Sequence, residues 1–116
     1  MKYLLSIYCD EAADAKMTKD EGDRLMKAYY EYTADGREHG VILAGDPLHP
    51  STTATTIRVR EGKLLATDGR YAETEEQLGG YYLVDCKDLD DAIGWASRIP
   101  HAALGAIEVR PVMVFS

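Results

Sequence analysis

Apolar side chains alternate along residues 2–9. Tyr3, Leu5, Ile7 and Cys9 fall on one face of an extended chain, and Leu4, Ser6 and Tyr8 on the other. Apolar groups on both faces predict a strand covered on both sides. Residues 11–17 are small and polar, which predicts a connection. Thr18-Lys19-Asp20-Glu21 then has the Thr-x-x-Glu spacing of a capping box, and a helix is expected to run to about Glu38. Its buried stripe at helical spacing is Gly22, Leu25, Met26, Tyr29, Tyr32 or Thr33, and Gly36. Gly40 ends it in the left-handed position that suits glycine. Tyr29, Tyr30 and Tyr32 fit large core-edge side chains with wet hydroxyls better than a ligand slot.

Val41-Ile42-Leu43-Ala44-Gly45 reads as a short buried strand, broken by Asp46-Pro47-Leu48-His49-Pro50, which leaves His49 on a rim. Residues 53–60 alternate, Glu61-Gly62 makes a tight turn and residues 63–67 return, so 53–67 is a predicted hairpin. A charged stretch follows, with Asp68, Glu73, Glu75 and Glu76 close together and a helical turn expected at 73–78. Gly80–Cys86 is the next strand. Asp88 caps a helix with Leu89, Ala92, Ile93 and Ala96 at i, i+3, i+4 and i+7. Ile99-Pro100 stops it, His101–Gly105 is a loop, and Ala106–Phe115 is the last strand, placed at an edge by Pro111.

The order is β-α-β, a hairpin with a charged loop, then β-α-β. Without the hairpin this is an α+β fold, the ferredoxin-like βαββαβ unit, in one domain spanning residues 1–116. Two helices on one sheet face leave the other bare, yet Leu4, Tyr8, Leu83, Val112 and Val114 exceed what the helices can cover. Leaving such groups wet forfeits on the order of 1.5–3 kcal/mol each. A symmetric partner presenting the same face removes the cost, so a homodimer closing two sheets into a dimeric α+β barrel is expected.

A net charge of −7 argues against a general grip on nucleic acid, which needs a basic surface. No apolar run approaches the roughly 20 residues of a membrane span. The N-terminus lacks the pattern of a secretory signal, so a cytoplasmic location is expected. Cys9 and Cys86 are then free thiols rather than a disulfide. Neither Cys-x-x-Cys nor His-x-x-x-His spacing occurs, so no metal site is expected; nor is a cofactor, since no nucleotide loop or nucleophile elbow is present.

The stretch Thr67-Asp68-Gly69-Arg70-Tyr71-Ala72-Glu73-Thr74-Glu75-Glu76-Gln77-Leu78-Gly79-Gly80 resembles the signature of the DGPF-domain proteins, a branch of the YCII-related family. Ala44-Gly45-Asp46-Pro47-Leu48, Thr55–Arg60 and Ile107–Val112 also look like family patterns, so the resemblance covers nearly the whole chain. It departs where Arg70-Tyr71 replaces the Pro-Phe of the name motif and where Glu75 replaces the usual Lys. The resemblance implies a dimeric α+β barrel and, for this branch, companions of extracytoplasmic-function sigma factors. Shorter relatives carry a His on the first helix and an Asp before the Pro after the second, proposed as a catalytic pair. Ala28 or Tyr29 and Ile99 stand at those places here, so that pair is not carried over.

General acid–base chemistry needs a group that titrates near neutrality beside a pocket. Among the three histidines, His49 between its prolines is the best placed, ahead of His101 and of His39, which reads as surface. Asp68 with Glu73 is a second candidate, since paired carboxylates can divide acid and base roles; the plain alternative is that Asp68 serves its own turn. His49 and Asp68 are therefore the candidate catalytic residues. Tyr71, Glu73 and Arg110 are candidates for ligand contact, with Arg110 expected to face the inner barrel or to pair with Glu73 or Asp68. Two functions follow: a binding or regulatory protein, its acidity suiting a basic protein partner, or a small enzyme acting on a small metabolite.

Overall fold

The computed structural model describes residues 1–115. Strands β1 (Lys2–Cys9), β2 (Ile42–Pro47), β5 (Gln77–Asp85) and β6 (Ala106–Pro111) form one sheet in the order β2-β5-β1-β6. Every neighbouring pair is antiparallel. Strands β3 (Thr55–Arg60) and β4 (Lys63–Asp68) pair only with each other, in a separate two-stranded sheet. Glu61 and Gly62 join them with φ of 53° and 75°, the two left-handed residues that a tight hairpin turn matched to strand twist requires.

Helices α2 (Lys19–Glu38) and α3 (Leu89–Ser97) lie over one face of the larger sheet. The Thr18 hydroxyl accepts from the Glu21 amide while the Glu21 carboxylate accepts from the Thr18 amide. This satisfies two amides that the first turn cannot pair. Tyr3, Leu5, Ile7, Tyr82 and Val84 from the sheet meet Tyr32, Ala92, Ala96 and Ile99 in the core. Gly36 permits the close crossing of α2 over β2, because a Cβ there would come within 2.3 Å of the Ile42 side chain. The Tyr32 hydroxyl donates to the Trp95 carbonyl at 2.9 Å, tying α2 to α3, and Arg98 pairs with Asp35 to reinforce that tie.

Several expectations need adjusting. Residues 11–17 hold a short helix, α1 (Glu11–Asp14), because the Asp10 carboxylate caps it by accepting from the Ala13 amide. No helical turn occurs at 73–78; the chain bends there and enters β5 at Gln77. The hairpin begins at Thr55, since Ser51–Thr53 form a 3₁₀ turn. The last strand stops at Pro111, an edge-strand residue. Leu89 and Ile93 stay about half exposed, so Ala92 and Ala96 carry the contact of α3 with the core. Among the described residues no helix is long and apolar enough to cross a membrane.

Leu4 and Leu83 keep their expected places on the sheet, whereas Val112 and Val114 lie beyond the last strand. Leu4 lies opposite Leu83 on one flank and Arg110 on the other, on the face that α2 and α3 do not cover. Met113, Val114, Phe115 and the hairpin's Ile57, Val59 and Leu64 are largely exposed. The radius of gyration is 16.2 Å and the extents are 48 × 47 × 19 Å. A compact chain of this length measures about 13 Å, so the molecule is flat, with an arm projecting.

Candidate functional site

Four elements converge at one end of the sheet. Asp10 caps α1, and that single turn carries Asp14 back toward the sheet edge. Pro100 opens a second 3₁₀ turn, Pro100–Ala102, anchored by the fully buried Ile99, and delivers His101 into the same space. The His101 carbonyl accepts from the amides of Leu104 and Gly105, which holds the turn. Gly105 must be glycine, since a Cβ would lie 2.2 Å from the Tyr8 carbonyl oxygen.

The result is a chain of hydrogen bonds. Tyr29 Oη stands 2.5 Å from His101 Nδ1, and His101 Nε2 stands 2.9 Å from Asp14 Oδ2. His101 is buried. Burial raises the Tyr29 hydroxyl well above the usual phenol range, so Tyr29 keeps its proton and can donate it to Nδ1. In that arrangement Nε2 carries the ring hydrogen and donates to Asp14. Each polar atom in the chain has a partner, and among the described residues no buried side-chain nitrogen or oxygen lacks one.

Cys9 closes the group. Its Sγ, an Asp14 carboxylate oxygen and a His101 ring nitrogen lie within 4.8 Å of one another. Burial, reinforced by the negative charges of Asp14 and Glu11, pushes the Cys9 thiol up to about 11. Cys9 is therefore a protonated thiol at neutral pH. Cys86 is also free and buried, and its thiol is raised for the same first reason, burial.

The chain opens onto a cleft of about 480 Å³, lined by Leu25, Met26, Tyr29 and Arg37 of α2, Asp46 of β2, Tyr82 of β5, Cys9 and His101. That volume is within the range of small-molecule sites, which combine apolar walls with few polar groups. The helix stripe predicted as core thus divides in two. Tyr32 and Gly36 are buried, whereas Leu25, Met26 and Tyr29 line the cleft and Met26 is 56% exposed. The tyrosine hydroxyls expected to be wet are bonded instead in Tyr29 and Tyr32, while Tyr30 is 70% exposed.

None of His49, Asp68, Tyr71, Glu73 and Arg110 takes part in the Asp14–His101–Tyr29 chain or lines the cleft. His49 is exposed, two positions beyond Pro47, which lines the cleft. Asp68 is exposed at the hairpin's end, opposite Thr55. Tyr71 is 75% exposed and lies under the Arg58 guanidinium, 5.0 Å from its ring centroid. Glu73 pairs with Arg70, which also donates to the Ser51 hydroxyl. Arg110 pairs with Glu108 on its own strand at 2.9 Å, not with Glu73 or Asp68. The charged loop has a structural connection to the cluster all the same: the buried Gln77 side chain accepts from the Glu11 amide and donates to the Thr74 carbonyl. In turn the Glu11 carboxylate accepts from the Ser51 amide. Sequence spacing does not reveal the cluster because its members come from distant segments; Pro100 fixing a histidine beside buried Ile99 was the one local signal.

Comparison with known proteins finds relatives along the whole chain. The model of the YCII-related domain matches residues 1–116. The chain is 35% identical to an uncharacterised protein of Rhizobium meliloti, over 99% of its own length and 94% of the relative's.

Proposed function

We propose, for a chain that belongs to the YCII-related family, that the cleft binds a small, largely apolar metabolite and exchanges a proton with it through Tyr29, His101 and Asp14. The observation that carries this reading is the bonded chain Asp14–His101–Tyr29 ending on the wall of a cleft. Asp14 holds the imidazole in one tautomer, the imidazole takes or returns the Tyr29 proton, and the Tyr29 hydroxyl meets the ligand. Apolar walls exclude water and strengthen these polar contacts.

The molecule works as a homodimer with a ferredoxin-like sheet in each half, in the cytoplasm. Support comes from the strand order β2-β5-β1-β6, from Leu4 and Leu83 on the uncovered face and from the flat outline. A screen of small metabolites by thermal shift, followed by turnover assays on each hit, tests the catalytic reading. A hit turned over by the wild type and not by Tyr29→Phe or His101→Gln supports it. Equal turnover by all three proteins defeats it.

The net charge of −7 favours a second, compatible role as a regulatory partner of a basic protein such as a sigma factor. Salt-sensitive association with a purified sigma factor tests that role, and association indifferent to salt speaks against it.

A further inference from the structure

We propose that Cys9, Asp14 and His101 form a binding site for a divalent ion of the zinc class. Their donor atoms arrive from the end of β1, the end of α1 and the 3₁₀ turn after α3, and already lie within 4.8 Å of one another. Zinc bonds of about 2.0–2.3 Å at a tetrahedral angle place ligand atoms about 3.3–3.5 Å apart. His101 Nε2 and Asp14 Oδ2, at 2.9 Å, need only to part slightly, and Cys9 Sγ, no more than 4.8 Å from either group, needs to move in by at most about 1.5 Å. Sulfur, imidazole and carboxylate together suit zinc and its transition-metal neighbours, not magnesium or calcium, which take oxygen.

Surroundings strengthen the assignment. Cys9 and His101 are each only 8% exposed, so this is an enclosed cluster and not a patch of surface acids. Glu11 and Glu76 add negative charge around Cys9, which a cation neutralises. Tyr29 Oη, 2.5 Å from Nδ1, supplies the partner that orients a metal-bound imidazole. Both Cys9 and His101 also line the cleft. Three protein ligands beside a cleft, leaving a fourth position to water or substrate, is the arrangement of catalytic zinc sites.

Binding balances as follows. The Cys9 S–H bond breaks, sulfur keeps the electron pair and donates it to the ion, and one proton leaves to buffer. The imidazole proton moves from Nε2 to Nδ1, where it is donated to the Tyr29 oxygen, and Nε2 donates its lone pair to the ion. Tyr29 then turns its own hydroxyl hydrogen toward the cleft that it lines. The ion replaces the Asp14–His101 hydrogen bond, so the ion-bound form and the proton-exchanging form are alternative states of the same side chains, and the titration below reads ion binding alone.

Cobalt(II) titration of the metal-stripped full chain tests it. A near-ultraviolet thiolate-to-cobalt charge-transfer band should saturate at one equivalent per chain and be displaced by zinc. Cys9→Ser should abolish the band and Cys86→Ser should retain it, with circular dichroism verifying that each is folded. His101→Gln should weaken affinity by at least tenfold, and Tyr29→Phe by about tenfold. Absence of the band from the folded wild type overturns the assignment without recourse to any variant. So does a band that survives Cys9→Ser or disappears in folded Cys86→Ser.

Discussion

The Tyr29 hydroxyl reaches His101 Nδ1 at 2.5 Å across 72 positions of sequence. Because burial keeps the phenol protonated, the metal-free protein should hold His101 with its proton on Nε2. Nitrogen-15 spectra of the imidazole at neutral pH should show Nδ1 unprotonated and Nε2 bonded to hydrogen; the opposite tautomer contradicts the assignment. Tyr29→Phe removes one bond while sparing the ring, and should cost about 0.5–1.5 kcal/mol in urea unfolding.

Gly36 offers a test of packing. Alanine in a helix interior is favoured over glycine by about 1 kcal/mol, but here its methyl would meet Ile42. Overpacking of this kind costs about 1–3 kcal/mol, so Gly36→Ala should be neutral or destabilising despite the propensity gain. Combining it with Ile42→Val should cost less than the sum of the two single changes. Strict additivity in denaturant midpoints would mean that the two residues do not touch.

Glu21 should confer a pH dependence. The Thr18 amide and hydroxyl hold its carboxyl below the usual range in the folded protein. A depressed folded-state value adds stability that is present above the unfolded value, about 4.3, and is lost as pH falls through the lower folded one. Wild type should therefore exceed Glu21→Gln in melting temperature at pH 7. The gap should close as the pH drops below about 4; a gap that persists in acid removes the charged cap from the explanation.

Leu83 tests the pairing of two copies. It sits opposite Leu4 on the face without helices, so Leu83→Lys places a charge where a partner sheet would rest. Light scattering should report twice the chain mass for wild type and a shift toward single chains for the variant. A wild type of single-chain mass at micromolar concentration would remove the barrel.

Local pattern made much of the fold legible. The capping box at Thr18, the left-handed Gly40, the Glu61-Gly62 turn and the alternation of β1 each follow from spacing and backbone preference, and all four are present in the fold. The short helix at Glu11 looks like a connection in sequence, since one turn is too brief for a periodic signal and depends on a single Asp10 cap. The cluster was harder to read. Asp14 and His101 are 87 positions apart, and nothing near either one announces the other. Conversely, the charged signature of residues 68–76 drew attention by composition, while its observed bonds are mostly local, such as Glu73 to Arg70. Leu25, Met26 and Tyr29 share the apolar periodicity of a core stripe, and only the tertiary arrangement decides that they line a cleft.

The two ends of the β3–β4 arm are joined before they leave it, by a 2.7 Å hydrogen bond from the Gly69 amide to the Ala54 carbonyl. Since that arm shares no strand with the main sheet, its stem is a natural splice point: the arm can be shortened, lengthened or exchanged for another while Asp14, Tyr29 and His101 keep their places. Variation in whatever the arm touches is thereby uncoupled from variation in what the cleft holds.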